Sequence, residues 1–398
     1  MHKTTKYFIA EGLQWLLILI TNLLFVCKYS PRAGLNPIIC CFIYAVIFSG
    51  FALLYRSQIN RRTSERIALG LSVALTALLV ASIAISIIYI DPYSIGVDRW
   101  SATTFFLDGL FNGVYPYGIH THLFESNFPS PFPLWHYLNF PFWLMGDVGW
   151  IQAFFLLVFL GAIYYYFRSW KSVLLTLLIL LGSPAYWWEI ATRSDGVSNI
   201  LLVCACILFI ERYPIKMENK WWLLAIVSGC IASTRLSSVI PLALYLFYPW
   251  LAANWKVKVG FIVIATGVVF CFLVPYIFWD TNTWVFFSRN PFLSQTSLGN
   301  TWLLVFMVII AICISHKKQD FIHYTSSTSI YMFAFMMLML MSLIYTGSAN
   351  GIFKFGCDIS YLTLSVPFAV IALLLFEEQE NNANHVSTSG THRVFPCD

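Results

Sequence analysis

Residues 67–90 (IALGLSVALTALLVASIAISIIYI) run for 24 positions without a charged side chain. About 20 such residues suffice, as a helix, to cross the hydrocarbon core of a bilayer. The run has company. Apolar segments fall at roughly 8–27, 35–55, 149–167, 172–189, 197–211, 221–234, 237–251, 258–279, 301–315, 325–345 and 359–376. Only 10% of the chain is charged and 59% is hydrophobic, where a soluble domain would carry about a quarter charged residues. The length of 398 residues therefore describes one polytopic membrane unit over residues 1–376 and not two or three soluble domains. The expected fold is all-α, with about twelve transmembrane helices, within a range of roughly ten to thirteen. A long outer loop, 91–148, would carry short interfacial helices. The polar stretch from Glu377 to residue 398 predicts a disordered cytoplasmic tail. The opening MHKTTK before an apolar run lacks a small-residue cleavage site, which predicts an uncleaved first helix. Segments 221–234 and 237–251 are short, and predict a broken pair meeting at Ser233, Thr234 and Arg235.

Orientation follows from lysine and arginine. With the N-terminus inside, sixteen of the 23 basic residues fall in inner loops and both termini are cytoplasmic. The outer face receives the other seven: Lys28, Arg32, Arg99, Arg193, Arg235, Arg289 and Lys354. The net charge of +5 thus follows membrane topology and does not imply a nucleic-acid partner. The ten cysteines show no CxxC spacing, and eight lie in or beside apolar spans, where a thiol acts as a small hydrophobe. On this orientation Asp91, Asp98, Asp108, Glu125, Asp147, Glu189, Asp195, Asp280 and Asp358 all face outward, so chemistry belongs on the outer side.

Asp98 stands just beyond a membrane exit, where a reduced dielectric suits a carboxylate to proton transfer. Its alternative role is to cap a helix beginning near Trp100. Asp91 shares the location, within an Asp-Pro turn opener. His120, His122 and Glu125 could hold a divalent ion, contact carbohydrate or bind phosphate. Arg193, Arg235, Arg289 and Lys354 are cations near membrane depth, where a charge ordinarily faces a cavity or a partner. Their convergence would suit a phosphate. The alternative is local pairing, Arg193 with Asp195 or Glu189 and Lys354 with Asp358. Tyr186, Trp188 and Trp279 sit at outer helix ends, as an interfacial belt or as platforms for sugar rings.

Three of these stretches, in this order, carry a resemblance: Asp98-Arg99-Trp100, then Gly113-Val-Tyr-Pro-Tyr117, then the proline cluster Phe128-Pro-Ser-Pro-Phe-Pro133-Leu134. Arg193-Ser-Asp195, Gly229 to Arg235 and Asp358-Ile-Ser-Tyr361 follow. The layout resembles the GT-C superfamily of integral-membrane glycosyltransferases, which use polyprenyl-phosphate sugars. Relatives commonly begin the outer loop after their first span, whereas this chain has two additional spans before it. The resemblance implies a polyprenyl-phosphate-linked sugar donor and a glycan, lipid or protein acceptor. It makes Asp98 the base, with Asp91 as the other candidate, and expects inversion at the anomeric carbon. Arg235, with Arg193 or Lys354, would hold the departing phosphate. Arg99, His120, His122, Glu125 and Asp195 would complete the substrate site, and residues 113–134 would shape the acceptor pocket. The implied setting is a bacterial inner membrane with the site on the periplasmic face; no particular cofactor is implied, and a divalent metal is compatible. Two other classes fit a chain of this kind. A lipid-linked O-antigen polymerase or ligase places its main outer loop in the second half of the chain. A transporter or flippase places charges on broken helices at mid-membrane and shows related halves.

Overall fold

The structure, a computed structural model, describes residues 2–55, 63–213, 215–296, 300–347, 351–353 and 357–389. Sixteen α-helices and several short 3₁₀ turns make up the described residues, with no strand among them. Each of the twelve expected apolar segments lies on helix. Seven helical stretches are long and apolar enough to cross a membrane, or nine if each of two bent pairs counts as one crossing.

The early helices are α1 (His2–Tyr29), α2 (Pro37–Leu54) and α3 (Glu65–Tyr89). Asn36 caps α2 and Ser64 caps α3 through side-chain oxygens that accept from the first-turn amides. Much of α2 faces outward, with Ile38, Phe42 and Ile47 all largely exposed. Such a surface is stable only against hydrocarbon, which makes a lipid bilayer the setting of this chain.

The outer segment then forms α4 (Arg99–Phe111) and α5 (Pro133–Leu144). Between them Gly113 adopts φ +69°, a left-handed turn that a side chain would strain. A separate apolar cluster holds this segment together: Phe106, Leu107, Tyr117 and Phe132 pack against Leu273 and Tyr276 of the later chain. Phe111 of α4 stacks on Trp143, whose indole N–H donates to Asp108 at 2.9 Å.

Helices α6 (Trp150–Phe167), α7 (Trp170–Leu181), α8 (Pro184–Ala191) and α9 (Gly196–Arg212) follow, with a 73° bend between α7 and α8 at Ser183-Pro184. The expected break between short helices is present, dividing α10 (Trp221–Ala232) from α11 (Leu236–Ala252). The remaining helices are α12 (Trp255–Ile277), α13 (Pro291–Thr296), α14 (Thr301–Ser315), α15 (Phe321–Tyr345) and α16 (Val366–Ser389). α16 is the centre of the bundle, its apolar turns almost wholly buried against α1, α9 and α15. It continues as helix as far as Ser389.

Two polar clasps close the bundle. At the end carrying the basic loops, Glu65 accepts from the Ser169 hydroxyl at 2.8 Å and the Trp170 amide at 2.7 Å. At the opposite end, the Arg193 side chain donates to the carbonyls of Ser86, Ile87 and Ile90 at the C-terminal end of α3, and pairs with Asp147 at 2.5 Å.

Candidate functional site

The proline cluster is stitched to the helix break. The amides of Phe132 and Leu134 donate to the carbonyls of Thr234 and Ser233, at 2.9 and 3.1 Å. Gln295 of α13 bridges the two by donating to the Ser130 carbonyl and accepting from the Leu236 amide. Broken helix and non-helical loop thus satisfy each other's backbone groups, and the break delivers Arg235 to the end of the bundle.

There a cavity of about 430 Å³ opens. Four basic side chains line it, Lys28, Arg32, Arg99 and Arg235, together with two carboxylates, Asp98 and Asp358. Tyr29, Phe124, Phe128, Trp188 and Tyr361 supply aromatic wall. Asp98 and Arg235, far apart in sequence, therefore share one chamber.

Asp98 occupies the N-cap position of α4 but makes no side-chain cap bond. Its Oδ2 accepts instead from Thr121 Oγ1 at 2.9 Å and Asn127 Nδ2 at 2.8 Å, which fixes the hairpin closed by the Thr121 amide on the Asn127 carbonyl. The other carboxylate oxygen carries no bond among the described residues and is free to act on a ligand.

Arg99 is the hub of the floor. It donates to Ser194 at 2.5 Å, and to Asp358 and Ser360 at 2.7 Å each, while its guanidinium lies 4.8 Å from the Tyr361 ring centre. Glu189 sits 3.7 Å from the same guanidinium, close enough for ionic attraction but too far for a hydrogen bond. Gly196 begins α9 directly beneath, where a Cβ would come within 3.0 Å of Arg99 Nη1.

Arg235 holds Asp195 through both carboxylate oxygens at 2.6 Å, and the Trp135 indole donates to Asp195 at 2.5 Å. Burial alone would raise the Asp195 pKa, yet the Arg235 guanidinium and these hydrogen bonds hold it below the usual carboxylate range. The stability this gives is fully present above the ordinary aspartate value of about 4 and is lost as pH falls through the depressed native value. Asp195→Asn should therefore flatten the acid limb of an unfolding profile followed by tryptophan fluorescence. An unchanged limb would place the acid-labile group elsewhere.

The remaining sequence candidates among the described residues lie outside the cavity. Asp91 is exposed and caps a turn by accepting from the Tyr93 amide. Arg193 clasps α3 to Asp147 and does not pair with Asp195 or Glu189, because Asp195 is already taken by Arg235. His122 bonds to the Ser101 hydroxyl at 2.6 Å, His120 is exposed beside Phe128, and Glu125 is exposed. These three do not converge, and among the described residues no group of three or more His, Cys, Asp or Glu side chains could hold a metal. Lys354 lies outside the described residues; Asp358, its expected partner, is paired with Arg99. Arg289 packs on Phe128, 3.6 Å from the ring centre, behind the cavity wall.

Sequence reasoning missed Lys28 and Arg32 as site residues. Their signal was present: both are exceptions to the inward bias of basic residues, grouped at the end of one span. Tyr29 and Trp188 stack at 3.9 Å beside them, with Arg32 over the Tyr29 ring at 4.8 Å. Comparison of the chain with known families, with curated proteins and with solved structures finds no match.

Proposed function

We propose that this chain is a GT-C-like integral-membrane glycosyltransferase, with about twelve crossings and both termini cytoplasmic. It moves a sugar from a polyprenyl-phosphate donor to an acceptor hydroxyl at the outer face of a bacterial inner membrane. The observation that carries this reading is the shared chamber: a carboxylate with a free oxygen, Asp98, opposite a group of cations at the rim of an apolar bundle. In the reaction Asp98 takes the acceptor hydroxyl proton as that oxygen attacks the anomeric carbon. The bond from the anomeric carbon to the phosphate oxygen breaks, and the lipid phosphate departs with its electron pair. The positive charge that develops on the sugar ring is matched by carboxylate, and the departing phosphate by the basic wall. Trp188 and Tyr361 offer faces against which a sugar ring can rest.

The test is a transfer assay on the full chain in liposomes, with a panel of radiolabelled polyprenyl-monophosphate sugars and an envelope extract as acceptor. Label should pass to the acceptor while free polyprenyl phosphate appears. Label that crosses the bilayer still attached to its lipid would replace this reading with a flippase. Transfer only from lipid-diphosphate oligosaccharides would replace it with a polymerase or ligase.

A further inference from the structure

The charges lining the cavity do not cancel locally. Arg99 is matched by Asp358 at 2.7 Å and Arg235 by Asp195 at 2.6 Å. Lys28 and Arg32 remain. Lys28 is only 5% exposed, yet among the described residues no carboxylate lies within 4 Å of it. Its ammonium donates to two backbone carbonyls, Ile352 at 3.0 Å and Cys357. An ammonium has three N–H groups, so among the described residues one donor is left over. Asp358, on the same cavity wall, is already committed to Arg99. Arg32 is exposed, lies over the Tyr29 ring and pairs with no carboxylate among the described residues. A buried ammonium without an acid beside it is costly, and a second cation four residues on raises that cost. An anion between them would remove it. Asp98 is the one cavity carboxylate without a basic partner, so the chamber holds two unmatched cations against one acid.

We propose that Lys28 and Arg32, at the end of α1, form the phosphate-binding subsite of this cavity. Arg235, neutralised by Asp195, is then a positioning residue that holds the helix break against α9. The anion is a phosphate monoester: compact enough to take the spare Lys28 donor and rich enough in oxygens to draw the Arg32 guanidinium off its ring. The subsite comes from the end of α1, the first of the three spans that precede the outer loop. That span thereby contributes to the site as well as to the fold. The inference rests on the transferase reading for the lipid that carries the phosphate, but not for the anion itself.

Binding by the purified full chain separates the two. Farnesyl phosphate, inorganic phosphate and neutral farnesol are titrated against wild type, Lys28→Gln and Arg32→Gln, with thermal unfolding measured alongside. Arg32 is exposed, so Arg32→Gln tests the subsite even if Lys28→Gln destabilises the protein by releasing the Ile352 and Cys357 carbonyls. Farnesyl phosphate should bind wild type and weaken about tenfold or more in each variant, the loss of one charge-assisted hydrogen bond. Farnesol should bind weakly and ignore both changes. Farnesyl phosphate held more tightly than inorganic phosphate assigns the anion to a lipid; equal affinity assigns it to a soluble phosphate; both support the subsite. Equal farnesyl phosphate affinity in wild type and Arg32→Gln overturns it. A chain that binds phosphate through Lys28 and Arg32 yet transfers no sugar keeps the subsite and loses the transferase. A transferase whose donor binding ignores both residues does the reverse.

Discussion

Asp98→Asn is expected to reduce sugar transfer by at least about 100-fold, and by as much as about 10,000-fold, the range removed with a general base. The substitution isolates proton transfer because the structural duties of Asp98 survive it. Thr121 and Asn127 both donate to one carboxylate oxygen, and an asparagine carbonyl can accept from both. The hairpin should stay closed, and membrane insertion and thermal stability should match wild type. Farnesyl phosphate should bind at least as tightly, since a negative charge has left the chamber. Asp358→Asn provides the contrast. Asp358 spends one oxygen on Arg99 and the other on the Ser360 amide. Burial pushes its pKa upward, but Arg99 and these bonds hold it below the usual range, so it is a poor proton acceptor. Its loss should register as lower stability with part of the turnover retained. Turnover measured under single-turnover conditions with a synthetic donor decides the matter, and a wild-type rate from Asp98→Asn would dismiss Asp98 as the base.

The apolar runs made the helical architecture legible, because length and lack of charge determine a membrane helix almost alone. The outer helix at Trp100 and the break before Arg235 were legible for the same kind of reason: each is a local change of pattern. Pairing was not. Arg193 has Asp195 two positions away and Glu189 four positions away, yet it bonds to Asp147 and to the end of α3. Asp195 instead meets Arg235, 40 residues on. Near a membrane, partners are chosen by which helix ends meet, and that information resides in packing between distant segments. The divalent-ion alternative for His120, His122 and Glu125 finds no metal-holding group among the described residues, for a similar reason. Spacing suggested convergence, but the hairpin turns His122 toward Ser101 and leaves the other two exposed. Lys28 was hidden for a different reason. Its proposed role depends on an absence, no carboxylate within 4 Å of a buried amine among the described residues, and a sequence cannot display a missing neighbour.

Arg235→Leu should cost about 3–5 kcal/mol of stability, the penalty for stranding a buried carboxylate. Asp195 is 4% exposed and would keep only the Trp135 indole as a donor. The same pair also anchors the helix break to the start of α9, so the loss should loosen the docked proline cluster, whose amides bond to Ser233 and Thr234. Arg235→Leu combined with Asp195→Leu removes both charges at once. Replacing a whole buried ion pair by apolar groups is often close to neutral, so the double variant should recover most of the loss. SDS titration of the purified chain, followed by tryptophan fluorescence, reads all three variants on one scale. A double-mutant cycle with strong coupling makes Arg235 a structural cation, and farnesyl phosphate affinity should then change far less in the double variant than in Arg32→Gln. Recovered stability together with lost phosphate binding would return the phosphate to Arg235, as the sequence had suggested, and would reduce Lys28 and Arg32 to bystanders.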